Sequence, residues 1–334
     1  MVRQVVGIAG IVVCWAVTAL SPARAAEEAW RFLDGLRQRG YHDVVLDYLD
    51  QISSSPACPE DLKKVIDYEA GLSLVSASRL ANLDARQELL DKAHERFDKF
   101  LKAQPDHLLA SEAGTQMANV LVERGKIKME LANTPSKSPA EKKRLIEEAR
   151  KHYEEAKKAF AASEQKVFER LKSFDTTRLD ERKEADTIDR RDQARSEYVQ
   201  AKLYIASATY EIGKTYDPKS KEYQEHLATA AKLYNELYEK YGTLIAGLYA
   251  RMWEGRTYKD LGDYKTALEI FREMLSLPDS PEAFRLLKNQ SLILMLETYT
   301  GTAAKNYKEA LNRTQAWVEA ARGDERSSSE GLAI

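Results

Sequence analysis

Val44, Val45, Tyr48, Leu49 and Ile52 advance by threes and fours, the step that puts apolar side chains on one face of a helix. Leu89, Leu90, Ala93, Phe97 and Phe100 repeat it. These stripes predict helical hairpins. The first runs from Glu27 to about Ile52 and turns at Arg39-Gly40-Tyr41, and Ser53–Pro59, with its serines and two prolines, ends it. The second covers Glu60–Ala103, with Ile66, Ala70, Leu74 and Ala77 as the stripe of its first helix and Pro105 as its stop. A third unit begins at Asp106 and extends through Leu131.

Ser138-Pro139-Ala140-Glu141 is a helix start. Serine caps the first turn, proline suits the first helical position, and glutamate three residues on completes a capping box. No breaker follows before Phe174, so this helix should reach roughly 50 Å at 1.5 Å per residue. Leu145, Ala149, Tyr153, Ala156, Phe160, Val167, Leu171 and Phe174 form its coiled-coil-like seam, with one seven-residue step. Asp175–Asp192 is intensely charged and reads as a connection, helical in part, and Tyr198–Tyr216 as the next helix. The two long helices are expected to pack antiparallel as an extended arm over about 139–216. Helices at Lys221–Lys240, a hairpin within Ala250–Ser280, and a last pair at Pro281–Gly301 and Ala303–Arg322 complete about twelve helices in six pairs. Ser280-Pro281 should start the last pair as Ser138-Pro139 starts the long helix. The polar, serine-rich tail, 323–334, is expected to be disordered.

A small residue followed one turn later by an aromatic recurs at Ala93/Phe97, Ala149/Tyr153, Ala230/Tyr234 and Ala267/Phe271, with weaker members at Val44/Tyr48 and Ala310/Thr314. The fullest copy is Ala250–Ser280. There Gly255 admits a partner helix, Leu261-Gly262-Asp263 turns, Tyr258, Tyr264, Ala267, Phe271 and Leu275 supply the hairpin interior, and Pro278 stops the second helix. Gly255, Tyr258, Gly262, Tyr264, Ala267, Phe271 and Pro278 at these offsets resemble the tetratricopeptide repeat, of the kind found in exported bacterial cell-envelope proteins. The resemblance implies an all-α fold: a right-handed superhelical solenoid of antiparallel helix pairs over 26–322, with the long-helix pair in its middle. It also implies a concave groove, lined by one side chain per turn of each first helix, that holds a protein or peptide partner. In the Ala250–Ser280 copy those residues would be Tyr249, Met252, Arg256, Lys259 and Asp260. Where the family's carboxylate clamp has Lys and Asn, this chain has Met252 and Arg256.

Composition adds a compartment. Arg3, the uncharged run Val5–Leu20, Pro22 and the small-x-small Ala23-Arg24-Ala25 form a signal peptide over 1–25, cleaved after Ala25. Sixteen apolar residues are short for a bilayer span of about 20. An uncleaved leader would therefore be the one membrane contact, and the expected location is the periplasm or cell envelope. Cleavage removes Arg3 and Arg24 and no acid, so 51 basic residues against 53 acidic become 49 against 53. Such a balance gives solubility and no basic stripe for nucleic acid. Cys58 then stands without a disulfide partner.

Candidate chemistry changes the picture little. His42, His94, His107, His152 and His226 are scattered without a second ligand at helical spacing, so no metal or cofactor is implied. No glycine-rich phosphate loop or nucleophile elbow is present. The acid pairs Glu147/Glu148 and Glu154/Glu155 belong to a lysine-rich solvated face. The Arg322-Gly323-Asp324 tripeptide and the sequons at Asn289 and Asn312, both inside predicted helices, carry no weight. The reading is a non-catalytic scaffold. A structural subunit of a larger envelope assembly, or the front part of a longer array, is the alternative, and a helical enzyme a third.

Overall fold

The apolar stripes fold as helices. The computed structural model describes residues 22–174, 185–301, 305–321 and 323–334, and among them there are fourteen helices and no strand. They are α1 (Pro22–Gln38), α2 (His42–Ser53), α3 (Glu60–Ser78), α4 (Leu83–Ala103), α5 (Ala110–Ala132), α6 (Pro139–Lys172), α7 (Ala185–Lys214), α8 (Lys221–Tyr241), α9 (Ile245–Leu261), α10 (Tyr264–Leu275), α11 (Glu282–Thr300), α12 (Tyr307–Ala320), α13 (Gly323–Arg326) and α14 (Ser329–Ala333). Most of the expected leader lies outside the described residues.

From α1 to α12 each helix packs on the next in sequence, and α1 on α3, α3 on α5, α7 on α9 and α9 on α11 also touch. The core follows this order. One buried apolar cluster runs from α1 to α5, smaller ones join α5, α6 and α7, a further one lies between α7 and α9, and the last spans α9 to α12. Each helix thus hides its stripe on its neighbours in sequence.

The small/aromatic pairs hold the even helices in place. Ala93/Phe97 on α4, Ala149/Tyr153 on α6, Ala230/Tyr234 on α8 and Ala267/Phe271 on α10 are all at most 2% exposed. Three of the four aromatic rings lie where the preceding helix carries glycine. A Cβ on Gly71 would stand 2.7 Å from Phe97, one on Gly125 2.5 Å from Tyr153, and one on Gly255 2.8 Å from Phe271. The Gly255 contact is the close approach expected from the sequence. The turn after α9 is closed by Gly262 at φ +86°, where a side chain would be strained. Asp263 then caps α10 by accepting from Thr266 N–H.

α6 starts as its sequence predicts, with Ser138 and Glu141 capping each other's backbone. Its seam is buried from Leu145 to Val167, and Ser163 fills the seven-residue step, opposite Gly114. Four expectations are corrected. α6 is not an arm shared with α7 alone: Tyr153 packs on Gly125 and Phe160 beside Ala118 and Leu121 of α5, and Phe168 stacks on Tyr198 of α7 at 5.6 Å. As expected of a connection helical in part, α7 begins at Ala185 within the charged stretch, of which 175–184 lies outside the described residues. Tyr264 stands 36% exposed at the start of α10, because its position precedes the buried face of that helix. Pro281, without a side-chain cap, is the N-cap of α11 in place of Ser280. The residues expected to be a disordered tail form α13 and α14; α14 packs on α11, and Glu325 pairs with Arg285 at 3.3 Å.

Candidate functional site

α9 carries the five residues singled out from the sequence. Met252, Arg256, Lys259 and Asp260 line a cleft of about 490 Å3, together with Lys214 of α7 and Gln290, Ile293 and Glu297 of α11. Tyr249 does not line it. It is half-buried against the α9–α12 cluster, and burial raises its phenol pKa, with Glu330 of α14 adding to the effect. Met252 is only 1% exposed and forms floor, not surface. Lys259 bonds Glu297 on α11. Asp260 accepts from the Tyr210 hydroxyl and from Lys214 Nζ at 2.8 Å. Burial pushes its carboxyl up, but these two bonds outweigh burial and hold it below the usual carboxylate range.

Arg256 differs. Its guanidinium lies 5.0 Å from the ring centres of both Tyr210 and Trp253 and makes no hydrogen bond or ion pair among the described residues. Burial works against its charge, yet Tyr210, Glu211, Asp260 and Tyr234 around it raise its pKa above the ordinary value. Arg256 and Trp253 also wall a second cavity of about 450 Å3, with Lys126, Ser207, Tyr210, Glu211, Tyr234 and Thr257. Lys126 and Ser207 in turn wall a third of about 340 Å3, which reaches Val75 and Ser78 on α3. The three cavities share walls and make one groove across the odd-numbered helices from α3 to α11.

Glu211 lines the middle of this groove. Burial raises its carboxyl pKa, and Arg256, Lys126 and Lys214 only partly offset that. Among the described residues it makes no hydrogen bond or ion pair, unlike Lys126, which bonds Glu123 at 2.8 Å.

Glu211, Trp253, Lys126, Lys214 and Ser207 are site residues that the sequence reading left out, although a signal for all but Trp253 was present. The groove residues include a set of four on α5, Gln116, Asn119, Glu123 and Lys126, with Val120 and Val122 beside them, and a set of four on α7, Tyr204, Ser207, Glu211 and Lys214, with Tyr210 beside them. Both sets step by three, four and three. So do Tyr249, Met252, Arg256 and Lys259 on α9, although Tyr249 lies outside the groove, and Gln290, Ile293 and Glu297 on α11 take the first two of these steps. Applying the α9 spacing to α5 and α7 finds Lys126, Ser207, Glu211 and Lys214, but not Trp253, which follows Met252 outside the stripe.

Among the described residues, no three His, Cys, Asp or Glu side chains gather as a metal site, and no helix is long and apolar enough to cross a membrane. The groove offers paired charges, aromatic walls and, at its middle, a cation and an acid without a hydrogen-bond or ion-pair partner among the described residues, which is equipment for holding a ligand. No protein-family model matches the chain, and no curated protein is detectably similar to it.

Proposed function

We propose that this chain is an exported tetratricopeptide-like scaffold that holds an extended segment of a partner protein in the groove across α3 to α11. The observation that carries the reading is the repeated three–four–three stripe, which gives successive odd helices the same ligand-facing edge. The recurring glycine-to-aromatic contacts between neighbouring helices support a stacked array of helix pairs, since each pair needs the next to cover its apolar face. The leader-like residues 1–25 support export. A photo-reactive residue placed at Ile293, in the groove, should give a discrete adduct in extract of the source cells. The same residue at Glu236 on α8, which lines none of the cavities, should not. Equal labelling from both positions would overturn the proposal.

One observation favours a structural role beside it. On α12 Tyr307, Leu311 and Val318 share a face and are 59%, 66% and 43% exposed. This apolar edge would suit end-to-end contact with another subunit. Leu311→Glu should leave stability within about 0.5 kcal/mol of the parent and abolish any concentration-dependent association seen by sedimentation. Association unchanged by the substitution would remove α12 as the contact.

A further inference from the structure

The other charges around the middle of the groove are paired: Lys126 with Glu123, Lys214 with Asp260 and Lys259 with Glu297. Arg256 and Glu211 face the same 450 Å3 cavity and pair neither with these groups nor with each other. A charge partly withdrawn from water without a partner carries a cost, and this cavity keeps two half-buried ones, of opposite sign.

A lone anion could satisfy Arg256 but would sit against the Glu211 carboxylate. A lone cation would meet the same objection at Arg256. A ligand that presents both signs removes both costs at once. We propose that the cavity between α7, α8 and α9 binds a free α-amino acid, its carboxylate on the Arg256 guanidinium and its ammonium on the Glu211 carboxylate. Guanidinium and carboxylate meet with matched geometry. The Tyr210 and Trp253 rings hold the Arg256 plane in place before the ligand arrives. Tyr234, 2% exposed, and Trp253 supply apolar wall for the ligand's side chain. The volume lies within the range of small-molecule sites, roughly 300–1,000 Å3.

The inference rests on the reading of the groove as the binding face, but not on a protein partner. Its test is calorimetric titration of the full chain with a panel of free L- and D-α-amino acids, followed by the N-acetyl and carboxamide derivatives of the best binder. At least one free amino acid should bind. Each derivative should bind about tenfold more weakly or worse, because a site built for a polar group rejects the analogue lacking it. Arg256→Gln should stop discriminating against the carboxamide, and Glu211→Gln against the N-acetyl form. The derivative series on the unaltered protein decides the matter even if a variant fails to fold. Absence of binding across the panel, or derivatives that bind as tightly as the parent, overturns the proposal. Adducts from Ile293 that persist in that case leave the scaffold reading standing, and binding of amino acids without such adducts leaves this one.

Discussion

Gly125→Ala and Gly114→Ala place the same methyl group on the same helix, α5, and should move stability in opposite directions. At Gly125 the added carbon would lie 2.5 Å from Tyr153 Cε1, 2.7 Å from Cζ and 2.8 Å from Cδ1. Tyr153 is 1% exposed and packs in the cluster of Ala149 and Ile212, so the ring has no free space to enter. Overpacking of this kind costs about 1–3 kcal/mol, against a gain of about 1 kcal/mol from replacing a helical glycine by alanine. The net effect is a loss of up to about 2 kcal/mol. At Gly114 the nearest atom is Ser163 Oγ at 3.4 Å, an ordinary contact, so the helix gain of about 0.5–1 kcal/mol survives. Urea unfolding followed by far-ultraviolet circular dichroism should therefore give a lower midpoint for Gly125→Ala and a higher one for Gly114→Ala. Tyr153→Leu removes the crowding ring carbons, so it should cost less in the Gly125→Ala background than alone, a coupling that a double-mutant cycle reads directly. Gly125→Ala as stable as Gly114→Ala would refute the close approach, and with it the glycine-to-aromatic contact as the repeated unit of packing.

Asp260→Ala strips the partner from the Tyr210 hydroxyl and should cost about 1–3 kcal/mol in urea unfolding. Asp260→Asn, which keeps an acceptor, should cost less. His94, His152 and His226 all have pKa values lowered by burial, with Arg124 adding to the shift at His94 and His152 and Lys157 at His226. A histidine whose folded pKa lies below its unfolded one leaves the unfolded state binding more protons. Stability is therefore full above about pH 6.5 and falls as the pH drops through the folded values. The urea midpoint should drop between pH 7.5 and 5.5, and His94→Gln with His152→Gln should flatten that drop; an unchanged slope would show that the two histidines are not held neutral.

The even helices were legible because their packing is written in residue size: a small residue and an aromatic one turn apart need each other's volume wherever they occur. Their glycine counterparts were harder to read. Gly71 and Gly125 look like helix weakeners until Phe97 and Tyr153 are seen lying over them. Where the helical part of the charged connection begins was not legible, because residues 185–197 carry almost no apolar stripe. There Arg195 pairs with Asp192 within the helix and Glu197 with Arg170 of α6. Glu211 was passed over for a different reason, although it falls on the groove stripe of α7. One position from Tyr210 on a helix rich in charge, it reads as a solvated acid, and only the arrival of α9 with Trp253 and Arg256 encloses it.

That enclosure makes Glu211 a sharp test of whether the groove is built for stability or for a ligand. Elsewhere cations reach across to acids on other helices, as Arg86 does to Glu123, Arg124 to Asp91 at 2.5 Å and Arg251 to Glu273 at 2.9 Å. If Glu211 served the fold, its charge would be matched in the same way and its removal would destabilise the protein. Its carboxyl pKa is instead raised, first by burial, with Arg256, Lys126 and Lys214 too distant to bond it. A carboxyl whose folded pKa lies above its unfolded value favours the folded state at low pH and loses that advantage as the pH rises through the two values. Glu211→Gln, which keeps the shape and removes the charge, should thus raise the urea midpoint at pH 7.5, and the gain should vanish below about pH 4.5. A lower midpoint at neutral pH would mean that the acid steadies Arg256 in the folded protein, leaving the cavity without an open charge to offer a ligand. A higher midpoint together with lost amino-acid binding would show an acid kept at the expense of stability, as binding sites are.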